Sequence, residues 1–466
     1  MALASPTDGG FPPTEAAPAP QAFIPPPPKK RPPSRRKSFI SRAKAEQVVN
    51  DLLRDYDEDL HDRQDWADAR LQRYAKLRGW LEPKQYPWPN ASNAHIPVLM
   101  QDSLRTQDTL HNAVMSVRPA MSAKALHKQD EAKTETIDHL LDYQLFVEQN
   151  GEEKIGDLID SFVNDGTFVA FIPYVKDDRM VPDVRTFEVM PKDVDPLPHI
   201  LQLLQQIYPN SIVTSKPNDD YEWDLIALDE EGRDFTAHVR FFTDEFDRVQ
   251  MISERRQRVF EGPCLIPKAM EDIVVPSRSS NLQPPGPSNP GGAPHVFLVD
   301  YPNLDEIKKL VDQGVYDLVT PADLKDIEAH RGQEVGQSLD PGGAKVQKDE
   351  LAGQTFGNSE TSKDTFTRMI CFARYDADGD GLDEDVVFWM LKESRTLLRA
   401  RYLTELWPSN PPRRPFAEAR YLQVPGQFYG IGLLELMENL YDILKTVFDQ
   451  MIDNGTLTNT PWGLYR

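Results

Sequence analysis

The sequence predicts an α+β chain: helices first, then a mixed, mostly antiparallel β region, then a long amphipathic helix at the C-terminal end. Three observations carry this. Up to Asn164, apolar residues recur at three- and four-residue steps. Beyond Gly166 they gather in short runs rich in β-branched and aromatic residues, parted by turn formers. From about 432 to 453 the helical period returns, with Leu433, Leu436, Leu440, Ile443, Leu444, Val447 and Met451 on one stripe.

Residues 1–40 are rich in Pro, Ala and Ser and end in the basic run "KKRPPSRRK", the composition of a disordered, polyproline-like tail. Helical patterning begins near 41 and runs to 79, where Val48, Val49, Leu52, Leu53, Tyr56 and Leu60 share a face. The prolines of "EPKQYPWPNASNAHIP" interrupt it. Further helices are expected near 98–116, 133–148 and 152–164, the last stopped by Asn164-Asp165-Gly166. The strand runs are "TFVAFIPYV", "WDLIAL", "AHVRFFT", "RVQMIS" and "EDIVVP". A flexible loop, 276–292, follows them, then helices around 304–314 and 321–330 and a loose polar stretch at 331–363. Strands resume with "RMICFARYD", "EDVVFWML", "TLLRARYL" and "FAEARYLQV". The expected parts are thus 1–40, 41–166, 167–425 and 426–466.

The chain has 466 residues, 40 of them proline, and a formal net charge of −22. So acidic a surface repels phosphate and argues against sequence-reading of nucleic acid. Only two cysteines occur, Cys264 and Cys371, both in apolar strand-like settings that favour inert burial over a disulfide framework or a reactive thiol. The first residues, MALASPTDGG, lack the charged and apolar regions expected of a signal peptide, and no apolar run is long enough to span a membrane. There is no phosphate loop, no Gly-x-Ser-x-Gly elbow and no His-Glu-x-x-His pattern. Gly430-Ile-Gly432 lacks the third glycine of a dinucleotide fingerprint. The residues therefore offer no catalytic constellation and no cofactor site.

"RYDADGDGLDED" (374–385) resembles the first half of a calcium loop. Counted from Asp376, with Asp378 and Asp380 in the third and fifth positions, Gly381 takes the sixth, but Val387 falls where the bidentate glutamate is needed. Its flanks read as strands. The segment is expected to be a hairpin turn, with Asp376, Asp378 and Asp380 holding at most a weak surface ion.

Five stretches in order resemble the portal proteins of tailed phages, in particular short-tailed ones. They are "YPWPNASNAHIPVLM", "EDIVVP" with the following "QGVYDLV", the Asp-rich turn, "RPFAEARYLQVPGQFYGIGLLELMENLYDIL" and "DNGTLTNTPWG". The likeness covers roughly 45–466. It implies a helical and β-rich wing, a stem-type long helix from 426, and a ring, usually of twelve copies, at one capsid vertex of the virion. Double-stranded DNA would pass through that ring, and terminase, capsid and tail adaptors would dock on it. No enzyme activity and no membrane association are implied. Portal chains continue past this helix into a clip, a second stem helix and a crown. The resemblance therefore implies that those parts belong to a longer protein or to a separate polypeptide, and that this chain alone need not close a ring. On this reading the apolar stripe, Leu433, Leu436, Leu440, Leu444, Val447 and Met451, packs against neighbouring copies, while Glu438, Asp442 and Asp449 face a channel or solvent. The competing readings are another virion assembly or adaptor protein, a calcium-dependent hydrolase using the Asp-rich loop, and a nucleic-acid binder acting through the basic tail.

Overall fold

Where one helical stretch was expected at 41–79 there are two helices, α1 (Arg42–Asp62) and α2 (Gln64–Arg78). The joint is Arg63, a buried arginine whose guanidinium donates to the carbonyls of Met270, Glu271 and Ile273 at 3.1, 3.1 and 2.5 Å. Three carbonyls from a distant turn satisfy the cation there, at the one residue that separates the two helices. The computed structural model describes residues 40, 42–80, 83–85, 88–89, 91–125, 131–187, 214–219, 222–228, 234–243, 249–330, 348, 365–377, 381–409 and 411–459. The tail 1–39, most of the 331–363 stretch, and Asp378 and Asp380 lie outside the described residues.

After α2 come α3 (Val98–Met115), α4 (Glu131–Tyr143) continuing into a π turn (Gln144–Glu148), and α5 (Gly151–Asn164), close to the expected bounds. The strands that follow are β1 (Thr167–Phe171), β2 (Tyr174–Phe187), β3 (Thr214–Asp219), β4 (Glu222–Leu228), β5 (Asp234–Thr243), β6 (Val249–Pro263) and β7 (Ile266–Lys268). The expected strand "EDIVVP" is a 3-10 turn, Met270–Asp272, leading into the two-residue β8 (Ile273–Val274). Then come β9 (His295–Asp300), which the sequence reading passed over, α6 (Leu304–Asp312) and α7 (Pro321–Ala329). The helix α7 opens with a capping box between Thr320 and Asp323. The chain continues with β10 (Arg368–Tyr375), β11 (Glu384–Leu391), β12 (Thr396–Tyr402), the short α8 (Leu403–Leu406), β13 (Phe416–Arg420) and α9 (Leu433–Asn459).

The main core is the five-stranded antiparallel sheet β12-β11-β10-β9-β8. Its central strand shows why the run "MICFA" is continuously apolar: both faces are covered. Met369, Cys371 and Ala373 meet Val48, Val49, Leu52 and Tyr56 of α1 on one side. Ile370 and Phe372 meet Phe171, Val275, Leu282 and Phe428 on the other. Cys371 is fully buried, and burial pushes its thiol well above the usual range. The smaller sheet β13-β1-β7 lies beside this core. A separate five-stranded sheet, β2-β6-β5-β4-β3, is built on a long antiparallel pair running from Tyr174 opposite Pro263 to Phe187 opposite Val249.

The loop 276–292, expected to be flexible, is instead pinned. Leu282 is fully buried, Arg414 donates to the carbonyls of Leu282, Ala293 and Pro294, and Arg420 donates to that of Ser280. Asn281 and Asn289 pair across it at 2.8 Å. Its proline-rich composition reflects a fixed irregular path rather than freedom.

The Asp-rich segment is a hairpin connection, as expected: β10 and β11 pair from Arg368 opposite Leu391 to Tyr375 opposite Glu384. Asp376 accepts the Gly381 amide at 3.1 Å, and Glu384 accepts the Ala377 amide at 3.0 Å. Those two carboxylates satisfy turn amides, the ordinary work of acids in tight connections. Among the described residues no group of three or more His, Cys, Asp or Glu could hold a metal ion. Nor, among them, is any helix long and apolar enough to cross a membrane.

Candidate assembly interface

The helix α9 begins where two backbones touch. Gly166 follows α5, and Gly430 and Gly432 precede α9. A Cβ on Gly432 would sit 2.4 Å from the Asn164 carbonyl oxygen, and one on Gly430 would sit 2.5 Å from that of Gly166. The Gly-Ile-Gly motif that resembled a fragment of a nucleotide fingerprint is therefore a backbone crossing. The Gly430 amide donates to the Thr167 hydroxyl at 2.7 Å, and Leu422 bridges Ile431. Upstream, Tyr429 stacks on Trp66 with centroids 3.9 Å apart, and Arg420 holds the Phe428 carbonyl at 2.7 Å. A cleft of about 280 Å³ opens beside this crossing. Its acids are already engaged: Asp59 with His295 at 2.7 Å, Asp62 with the Ser277 hydroxyl at 3.0 Å, and Glu435 with Arg73 at 3.0 Å.

From this fixed start α9 runs against its own subunit with its polar side. Leu434, Met437 and Tyr441 close a small apolar cluster with Leu77, Leu99, Tyr74 and Ile96. Beyond them the contacts are ionic. Glu438 accepts from Arg73 at 3.0 Å and Lys76 at 2.8 Å, and Lys76 also reaches Asp442 at 2.8 Å. Lys445 donates to Asn93 at 2.7 Å and to Asp449 at 2.8 Å. Asp449 further accepts from Lys84, the Ala94 amide at 2.9 Å and the Ser92 hydroxyl at 3.3 Å. Asp453 accepts the Ser92 amide at 2.8 Å.

This corrects the expectation that the acidic side of α9 faces a channel or solvent. Asp449 is only 2% exposed and sits within ion pairs of its own chain. Burial pushes its carboxyl up, but hydrogen bonds from Lys445, Lys84 and the Ala94 amide outweigh that and hold it at about 2. Glu438 is half-buried; burial raises it, and the bonds from Lys76 and Arg73 bring it below the usual carboxylate range. Asp442 keeps about half of its side chain in solvent while pairing with Lys76.

The apolar stripe takes the opposite side. Leu433 is half-buried, whereas Leu436, Leu440, Leu444, Val447 and Met451 are exposed, Met451 at 67%. Ile443, Phe448 and Ile452 join them. All six charged residues of α9 (Glu435, Glu438, Asp442, Lys445, Asp449 and Asp453) are bound to the subunit's own groups. The outward half thus carries apolar and neutral polar side chains alone, on a chain of net charge −22.

The helix also runs further than expected, to Asn459, so that Gly455-Thr456-Leu457 is helical. The partners of α9's polar face were missed in the sequence because they lie some 360 residues away. One signal was present: "PNASNAHIP" supplies the Ser92–His95 groups that hold α9, so two of the resembling motifs are each other's partners.

A family model described as the phage SU10 portal protein matches residues 58–464. A search of curated proteins returned no match. The match takes in both motifs of the α9 cradle, the Asp-rich hairpin and the central sheet, and so the chain belongs to the phage SU10 portal protein family, the structural proteins of a phage head-to-tail connector.

Proposed function

We propose that copies of this chain assemble into a ring of twelve at the capsid vertex. Double-stranded DNA is packaged and ejected through it without sequence recognition, and terminase, capsid and tail adaptors dock on it. On this reading the chain is a conduit rather than an enzyme, residues 41–425 form the wing, and α9 is a stem helix. The protein assembles in the host cytoplasm and ends in the virion.

The observation that supports this best is the inside-out packing of α9. A helix whose charges are all satisfied internally, and whose apolar side is left in water, is suited to a neighbouring subunit. The net charge of −22 fits a passage for DNA, since phosphates find little to hold them. Of the three acids once assigned to the channel, only Asp442 keeps the exposure to line it. Negative-stain electron microscopy and native mass spectrometry of the purified protein test the reading. Hollow rings of uniform subunit number are expected, and monomers at every concentration would overturn it.

A further inference from the structure

The outward face of α9 has one apolar seam, not two. At 100° per residue, Leu436, Leu440, Ile443, Val447 and Met451 form its ridge. The flank holding Leu444, Phe448 and Ile452 is apolar, whereas the opposite flank holds Asn439, Thr446 and Gln450. A closed ring joins unlike patches head to tail, so each copy needs a second, different surface to receive this seam. If α9 packed on α9 all round the ring, both flanks would have to be apolar, and one is not.

The described surface offers a second orphan stripe on α4 and its π turn. Ile137, Leu140, Tyr143 and Val147 follow one another at helical spacing and are all exposed, Val147 at 66%. This helix also turns two of its acids toward its own subunit. Asp138 accepts the Ala123 amide at 2.5 Å, and Asp142 accepts the Ala120 amide at 3.3 Å and pairs with Arg118 at 3.5 Å. Val117 and Met121, on the segment those acids hold, widen the patch with further exposed apolar surface. Exposed charges flank the stripe at its two ends, Lys133 one turn before Ile137 and Glu148 just past Val147, and would stay in water at its edge, because the seam on α9 brings no charge to oppose or match them. The exposed ridge of α9 spans about 22 Å and the α4 stripe about 15 Å, at a rise of about 1.5 Å per residue, so the shorter stripe fits within the longer seam.

We infer that the apolar seam of α9 in one copy docks on the α4 stripe, Ile137 to Val147, of the next copy. The inference rests on the ring reading and names its joint.

Thiol cross-linking tests it. In a Cys264→Ser background, Leu140→Cys and Val447→Cys are introduced singly and together, rings are verified by electron microscopy, and a short bis-maleimide is added. The double variant is expected to give a ladder of covalent multimers up to the full ring, and each single variant none. Rings with Val447→Cys dimers, or with double-variant links only within one chain, overturn the joint and leave the ring reading standing. Absence of rings in the unsubstituted protein removes both. A second measurement needs no cysteine. Leu140→Lys and Val447→Lys each abolish rings alone, yet mixed one to one they form heterodimers, since each retains the surface the other lacks. Intact rings in Leu140→Lys overturn the joint.

Discussion

The central sheet and α9 treat the same residue types in opposite ways. In β10 and β11, Met369, Phe372, Val387 and Phe388 are sealed inside while Arg374 and Glu384 lie at the turn. In α9 the acids and Lys445 turn inward, and Leu440, Val447 and Met451 are left in water. The sheet is completed by described residues of its own chain, whereas the outward side of α9 has no cover among the described residues. The contrast separates what folds the subunit from what assembles it, and substitutions should divide along that line.

The largest effect belongs to the sheet. Phe388 is fully buried beneath α1, and Phe388→Ala should cost about 3–5 kcal/mol by lost burial and a residual cavity. Val447→Ser on α9 should change subunit stability by no more than about 0.5 kcal/mol while weakening assembly. Denaturant unfolding at subunit concentrations below assembly, set beside sedimentation of the concentrated protein, checks both. Equal losses of stability would erase the distinction.

Asp449 sits on the folding side of the line although it lies on α9. Asp449→Asn removes the partner of two lysines at a buried position and should cost about 3 kcal/mol. The pH dependence has a definite sign. The folded carboxyl sits at about 2, below its ordinary value of 3.8, so its stabilisation is full above pH 3.8 and is lost as pH falls through 2. That stabilisation is roughly 2 kcal/mol at neutral pH. Acid unfolding of the wild type against Asp449→Asn should converge in this window; parallel curves down to pH 2 would show the carboxylate contributes nothing.

How far the sequence disclosed this can be judged residue by residue. The helices of the first part and the β10–β11 hairpin were legible because short-range periodicity and turn chemistry decide them. The α9 stripe was legible as a stripe, but its direction was not. Period 3.6 says that Leu440 and Asp442 lie on different sides, and habit puts the apolar side inward. Only Arg73, Lys76, Lys84 and the Ser92–His95 loop, remote in sequence, reverse that choice. The break at Arg63 was hidden for the same reason, since its carbonyl partners lie more than two hundred residues on. β9 was hidden by the turn formers immediately before it, and the ordering of 276–292 by a composition that also marks loose loops.

Two glycines sharpen the comparison at smaller scale. Gly432 belongs to the crossing that starts α9, where any Cβ meets the Asn164 carbonyl and the Gly166 amide at 2.4 and 2.7 Å. Both are backbone atoms and cannot swing aside. Gly432→Ala should therefore destabilise the subunit by about 1–3 kcal/mol, read as a shift of the denaturant midpoint without a change in slope.

Gly455 gives the smaller effect of the two glycines, and of opposite sign. It lies inside α9, and a Cβ there meets nothing within 4 Å. Alanine restricts the unfolded chain and favours the helix, so Gly455→Ala should stabilise the last turns by about 0.5–1 kcal/mol. Residues 454–459 at the end of α9 are exposed, and the gain should appear as slower amide exchange over residues 450–459 more than as a higher global midpoint. If exchange there is unchanged, the backbone at 455 is already held by something other than its own helix. A neighbouring copy seated on the outward face is the candidate that the inside-out geometry supplies, and repeating the exchange on the Val447→Ser variant would tell the two apart.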